Sequence, residues 1–114
     1  MEVELMHKSG NLLVRLKGEL DHHSAEEIRK TIDQEWEKEL ARNIIFDLKD
    51  LKFMDSSGVG VIMGRYKQAR QKGGKVAICG LSPSLVKIVE LSGLGKLVYL
   101  YGELDEALNE LAVS

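Results

Sequence analysis

The chain begins with two short apolar runs separated by a polar turn. Val3–Met6 and Leu12–Leu16 flank Lys8-Ser9-Gly10-Asn11, a pattern that predicts a β-hairpin. Ser24 followed by Glu27 has the spacing of a capping box, so we predict a helix from about Ser24 to Leu40. The apolar residues of this helix form one stripe at helical spacing, namely Ala25, Ile28, Ile32, Trp36 and Leu40.

The middle of the chain changes from a strand pattern to a helix pattern within a few residues. Ile44–Leu48 is β-branched and apolar, which predicts a strand. Asp55-Ser56-Ser57-Gly58 then stands directly before a helix that we assign to about Ser57–Lys72, ended by Gly73-Gly74. The helix side predicted to face the sheet consists of Val59, Ile62, Met63, Tyr66 and Ala69.

The last third of the chain also alternates between strand patterns and helix patterns. Lys75–Cys79 predicts a strand, and Ser82-Pro83 is an N-cap with proline at the first helical position. The short helix that follows ends at Gly93. Val98–Tyr101 predicts a last strand, and the last helix carries Leu104, Ala107, Leu108 and Leu111.

Strands that alternate with helices are typical of parallel βαβ units. We therefore predict a single α/β domain over residues 1–114, with a small mixed sheet of an N-terminal hairpin plus βαβ units, flanked by about four helices. The loops after parallel strands share one sheet edge, where ligands usually bind. These loops are 18–23, 50–58 and 80–83, and they should gather Asp21, His22, His23, Asp55, Ser56 and Ser57.

Composition and charge argue against several classes of function. The net charge of −2 lacks the basic excess typical of nucleic-acid binders, and we read the cluster Arg65–Lys72 as a solvated helix face. No run of about eighteen apolar residues predicts a membrane span, and no signal peptide is apparent, so we expect a cytoplasmic protein. The histidines show no metal-ligand spacing with Cys79, and no nucleotide motif is complete, so we expect no metal or cofactor.

The second helix carries glycines where a free helix would not favour them. A helical projection puts Gly60, Val61 and Gly64 on the side away from the sheet. Each interior glycine costs about 1 kcal/mol relative to alanine. Such a cost is understandable where another helix or backbone packs closely, so this side is a candidate docking face.

Ser56 and Ser57 lie where a helix leaves backbone N–H groups unpaired. Capping is the usual role of serine there, yet Asp55 could supply the cap, which leaves a surplus hydroxyl. One alternative is a nucleophile with His22 or His23 as its base, although the G-x-S-x-G motif is missing. The other is a phosphorylation site, whose added charge a helix N-terminus tolerates.

The chain resembles the STAS domains of bacterial anti-sigma factor antagonists. The segments that carry the resemblance are Gly18-Glu19-Leu20-Asp21, Phe46-Asp47-Leu48, Phe53-Met54-Asp55-Ser56-Ser57-Gly58-Val59-Gly60 and Leu91-Ser92-Gly93-Leu94. The resemblance implies a non-enzymatic regulator that binds an anti-sigma factor, itself a serine kinase, and so frees a sporulation sigma factor. It implies that this kinase phosphorylates Ser56 and is thereby released, and that a serine phosphatase reverses the modification.

The resemblance also assigns the partner-binding surface. Asp21 matches the loop acid that faces the kinase, where we expect an arginine, and Ser57 is the neighbour of the phosphoacceptor. The residues expected to bind the partner are Asp21, His22, Asp55, Ser57, Gly58, Gly60, Val61 and Gly64. The alternative is a STAS-type interaction module of a stress-signalling or transporter-associated complex.

Overall fold

A computed structural model describes residues 1–112 and contains a five-stranded sheet with four α-helices. The strands are β1 Glu2–Lys8, β2 Asn11–Leu20, β3 Asn43–Met54, β4 Val76–Cys79 and β5 Tyr99–Tyr101. The helices are α1 Ala25–Trp36, α2 Ser56–Gln71, α3 Pro83–Leu91 and α4 Leu104–Glu110, with a short 3₁₀ turn at Leu94–Lys96. No helix within residues 1–112 has the length and apolar character needed to cross a membrane.

The sheet is mixed, as predicted. Its strand order is β1-β2-β3-β4-β5, with β1 antiparallel to β2 and all other neighbours parallel. Ser9 and Gly10 close the hairpin with φ angles of 53° and 82°, which a two-residue turn between twisted strands favours. The parallel pairs are joined by helices, so the carboxyl ends of β2 and β3 meet at one edge of the sheet.

Alternating side chains of the sheet supply two separate cores. Leu12, Ile44 and Phe46 point towards α1, α2 and α3. Leu13 and Ile45 point to the opposite face, which is covered by Ala107 of α4 and by Leu111 directly after this helix. Three helices therefore lie on one face of the sheet and one helix on the other.

Two predicted boundaries are wrong. Helix α1 ends at Trp36, because Glu39 has a φ of +57° that no α-helix accepts, and Leu40 beyond it is 63% exposed. Strand β3 continues past Leu48 to Met54, since it keeps pairing with the end of β2 after irregularities in register. The connection expected at residues 50–58 therefore shrinks to Asp55, which leads from strand into helix.

Candidate functional site

Asp55 caps α2. It has extended backbone angles, and its Oδ1 accepts hydrogen bonds from the backbone N–H groups of Ser57 at 2.9 Å and Gly58 at 3.2 Å. A carboxylate at this position satisfies unpaired helix donors and complements the helix dipole. The capping role suggested for Asp55 is therefore confirmed.

The side chains of the two serines after Asp55 are not needed to cap α2. Ser56 is the first residue of α2 and is exposed, whereas Ser57 is half-buried. Within residues 1–112, neither hydroxyl forms a hydrogen bond with another protein group, and neither histidine of the neighbouring loop is bonded to them. The arrangement needed for a base-activated serine nucleophile is thus missing from the described residues.

The loop after β2 is closed by the side chains of Asp21 and Ser24. Asp21 Oδ1 accepts from the backbone N–H groups of Ser24 at 3.1 Å and His23 at 3.0 Å. These hydrogen bonds, that from Ser24 foremost, lower the pKa of the Asp21 carboxyl. Ser24 Oγ donates to Glu19 O at 2.9 Å and does not cap α1, so the predicted capping box with Glu27 is wrong. The backbone N–H of Ser24, which Glu27 would bind in a capping box, is bound by Asp21 instead.

One hydrogen bond joins the two loops. The backbone N–H of His22 donates to Asp55 Oδ2 at 3.2 Å, so the Asp55 carboxylate caps α2 with one oxygen and holds the neighbouring loop with the other. The imidazole of His22 itself is exposed. This hydrogen bond agrees with the prediction, made from the order of the elements, that one edge of the sheet gathers Asp21, His22, His23, Asp55, Ser56 and Ser57.

The glycines of α2 fall into two kinds. A Cβ on Gly58 would lie 2.5 Å from Met54 Cγ and 2.7 Å from the Leu20 carbonyl oxygen, so this glycine is required for close packing of the helix on the strand ends. A Cβ on Gly60 or Gly64 would meet no atom of the described residues within 4 Å, apart from the nearby backbone of α2 itself. Gly60 and Gly64 thus lie beside open space, as predicted, while Gly58 faces inward.

The predicted orientation of α2 needs two corrections. Val61 is 5% exposed and Arg65 is 6% exposed, although both were expected on the outer side. The helix packs against α1 as well as the sheet, and therefore buries a wider arc than one apolar stripe. Val61 belongs to the core and cannot lie on the open face with Gly60 and Gly64. The burial of Arg65 was not predicted, because a charged residue is usually exposed unless a partner for its charge is known.

Other reactive groups do not assemble into a second centre in the part of the chain that is described. No group of three or more His, Cys, Asp or Glu residues within residues 1–112 could hold a metal ion. Cys79 is the last residue of β4 and is buried on the face that α4 covers. Desolvation raises the pKa of its thiol to about 12. Such a thiol is protonated and poorly nucleophilic at neutral pH.

Comparisons with known proteins agree with this geometry. Residues 2–107 match the STAS domain. An anti-sigma F factor antagonist of Paenibacillus polymyxa is 43% identical over 113 residues, which cover 99% of this chain and 97% of that one. Another, from Lysinibacillus sphaericus, is 40% identical over 84 residues, covering 74% and 72%. The structure of the Bacillus cell fate determinant SpoIIAA in its phosphorylated form is similar with a TM-score of 0.75 and 34% identity, covering 96% of this chain and 98% of that one.

Proposed function

This chain belongs to the STAS domain family, and we propose that it is an anti-sigma factor antagonist controlled by phosphorylation of Ser56. Its role is that of a regulatory binding domain and not of an enzyme. The unphosphorylated form binds an anti-sigma factor that is also an ATP-dependent serine kinase, and thereby frees a sporulation sigma factor. The kinase then phosphorylates Ser56 and releases the chain, and a serine phosphatase restores the hydroxyl.

The proposal rests on the exposed and uncommitted hydroxyl of Ser56. Its hydroxyl is exposed on the first residue of α2, and the capping function is already performed by Asp55. A kinase can therefore reach this oxygen without removing a hydrogen bond on which the fold depends. The phosphorylated structure of the similar SpoIIAA protein is consistent with modification of this kind in the family.

Phosphorylation would change the surface while leaving the fold in place. A phosphate adds a charge of about −1.5 to −2, and a helix N-terminus offsets such a charge by roughly 0.3–1 kcal/mol. The carboxylates of Asp21 and Asp55 lie at the same edge, so the added charge makes that edge strongly anionic. Like-charge repulsion would oppose docking of an acidic partner surface, and the cost of burying the phosphate charge would oppose docking of an apolar one, while α2 would remain folded.

The docking face follows from the geometry of α2 and its neighbouring loop. Gly60 and Gly64 leave space in which a partner helix can approach the α2 backbone closely. Asp21 and the exposed His22 flank the start of that face, and Ser57 lies beside the phosphoacceptor. Asp55 supports the docking face by capping α2, and Gly58 supports it by allowing α2 to pack closely on the strand ends. Val61 is not part of this face because it is buried.

The proposal is tested by titrating the anti-sigma factor from the same organism with three variants. We expect Ser56→Asp to bind at least about tenfold more weakly, because the carboxylate places negative charge where the partner docks. Ser56→Ala should bind like the parent. Asn109→Asp adds the same charge to an exposed residue of α4, on the other face of the sheet, and should also bind like the parent. Equal affinity of Ser56→Asp and Asn109→Asp would refute the electrostatic mechanism.

A further inference from the structure

Arg65 is a buried cation on the inner side of α2. The buried residues of this helix recur at helical spacing and are Gly58, Val61, Ile62, Arg65 and Ala69. The Arg65 side chain is 8% exposed, and desolvation lowers its pKa despite the opposing effect of Asp33. An apolar side chain would fill this position without the cost of burying a charge.

The partner of Arg65 lies on the neighbouring helix. Arg65 Nε is 3.1 Å from Asp33 Oδ1 of α1 and donates its proton to Gln68 Oε1 at 3.0 Å. Asp33 Oδ2 lies 3.5 Å from Arg29, one turn earlier on α1. Arg65 Nη1 is buried without a hydrogen-bond partner within residues 1–112. The pair is therefore incompletely satisfied, and stability alone gives no reason for it.

A largely buried ion pair is a weak source of stability, and here Asp33 keeps 18% of its side chain exposed. Replacing such a pair by apolar residues of similar size is often neutral or stabilising. Of the other buried residues of α2, Gly58 and Ala69 carry no side chain beyond Cβ, and the apolar contacts of Val61 and Ile62 have no preferred direction. The planar guanidinium, by contrast, has a fixed direction and sets the position of α2 on α1.

The pair lies at a useful distance from the phosphoacceptor. Arg65 is about 14 Å along the helix axis from Ser56, and Asp33 is about 12 Å from the start of α1. At the other end, the hydrogen bond from His22 to Asp55 joins the segments that lead into the two helices. Helix α2 is thus tied to α1 and its loop at two separated points, which suppresses rotation of the end that carries Ser56.

We propose that Asp33 and Arg65 are positioning residues, which hold α2 against α1 so that Ser56 and the His22 loop present one surface to the partner. This inference rests on the proposed function for its biological meaning, but the positioning itself is a property of the free chain. It assigns a role to a charged pair remote from the docking face. The role is exerted through the register of two helices and needs no contact with the partner.

The test compares the double variant Asp33→Leu/Arg65→Met with the control Lys67→Met, which removes an exposed cation of the same helix. Three quantities are measured: denaturant stability, amide hydrogen exchange at His22 and Ser57, and phosphorylation by the anti-sigma factor from the same organism with ATP. We expect the double variant to be as stable as the parent. Its two amides should exchange about tenfold faster, and kcat/KM for phosphorylation should fall about fivefold or more.

Arg65→Lys provides a graded comparison, because it retains the charge and loses the planar fork. We expect its exchange rates to lie between those of the parent and the double variant. Exchange and phosphorylation rates of the double variant equal to those of Lys67→Met would overturn the proposal, and so would a double variant that does not fold. If the parent itself takes no phosphate, the proposed function fails, while the exchange rates still decide whether the pair positions α2.

Discussion

The three glycines of α2 allow the effects of internal packing and of open surface to be separated by one small substitution, glycine to alanine. A methyl group on Gly58 would lie 2.7 Å from the Leu20 carbonyl oxygen, which is backbone and cannot rotate away, and 2.5 Å from Met54 Cγ. Overpacking of this kind costs about 1–3 kcal/mol, against a gain of up to about 1 kcal/mol in helix propensity. Gly58→Ala should therefore lower the free energy of unfolding by about 1–2 kcal/mol.

The same substitution at Gly60 or Gly64 should have the opposite sign. Apart from the neighbouring backbone of α2, no atom of residues 1–112 lies within 4 Å of the added Cβ at either position. Only the propensity term remains, and each variant should gain about 0.5–1 kcal/mol. Gly58→Ala and Gly64→Ala should thus differ by about 2 kcal/mol. With a urea m-value of about 1–3 kcal/mol/M, this difference separates the two midpoints by about 1 M.

Urea unfolding followed through the fluorescence of Trp36, a 6%-exposed residue of α1, measures all three variants with the same probe. Equal m-values would show that the midpoints report stability and not a change in compactness. A Gly58→Ala variant as stable as Gly64→Ala would refute the packing of α2 described above. Loss of stability in Gly64→Ala would show that this glycine has a role inside the fold.

Three further predictions concern the docking face and the caps around it. Gly64→Leu should leave the chain folded and weaken binding of the anti-sigma factor at least about tenfold, since its side chain fills the space left for a partner; unchanged affinity in a calorimetric titration would contradict this. Asp55→Ala should lower the free energy of unfolding by about 1–2 kcal/mol, because the Ser57 and Gly58 N–H groups lose their acceptor. Urea unfolding measures this difference, and an unchanged midpoint would contradict the capping role. The pKa of Asp21 is lowered from its ordinary 3.8, so its contribution to stability is present above that value and lost as the pH falls through the lower folded-state pKa. Asp21→Asn should therefore lose less stability than the parent on acidification, and parallel curves of stability against pH would contradict the assignment.

The sequence predicted those parts of the fold that local chemistry decides. The Ser9-Gly10 turn, the proline after Ser82 and the positive φ of Gly93 each act within a few residues. Asp55 could be identified as a cap because it stands directly before the helical pattern, where the first N–H groups of a helix need acceptors. The neighbourhood of Asp21 and Asp55 followed from the topology of parallel strands, which needs no knowledge of side-chain packing.

The parts that the sequence could not predict depend on contacts between distant residues. The burial of Arg65 requires Asp33, thirty-two residues earlier and on another helix. The extension of β3 depends on pairing of Leu51 with Gly18 and of Met54 with Leu20, across irregularities that break the apolar alternation. In the sequence, Gly58 and Gly64 are equivalent helix glycines. Only the Leu20 carbonyl oxygen, brought close by the fold, gives Gly58 a different role.

We propose that Ser56 is the residue whose phosphorylation controls this domain. To test this, the chain is incubated with the anti-sigma factor of the same organism and ATP, and the added phosphate is located by tandem mass spectrometry. We expect a single phosphate on Ser56 and none on the adjacent Ser57, with Ser56→Ala unmodified. Phosphate on Ser57 or elsewhere, or a parent chain that remains unmodified while the kinase is active, would contradict it.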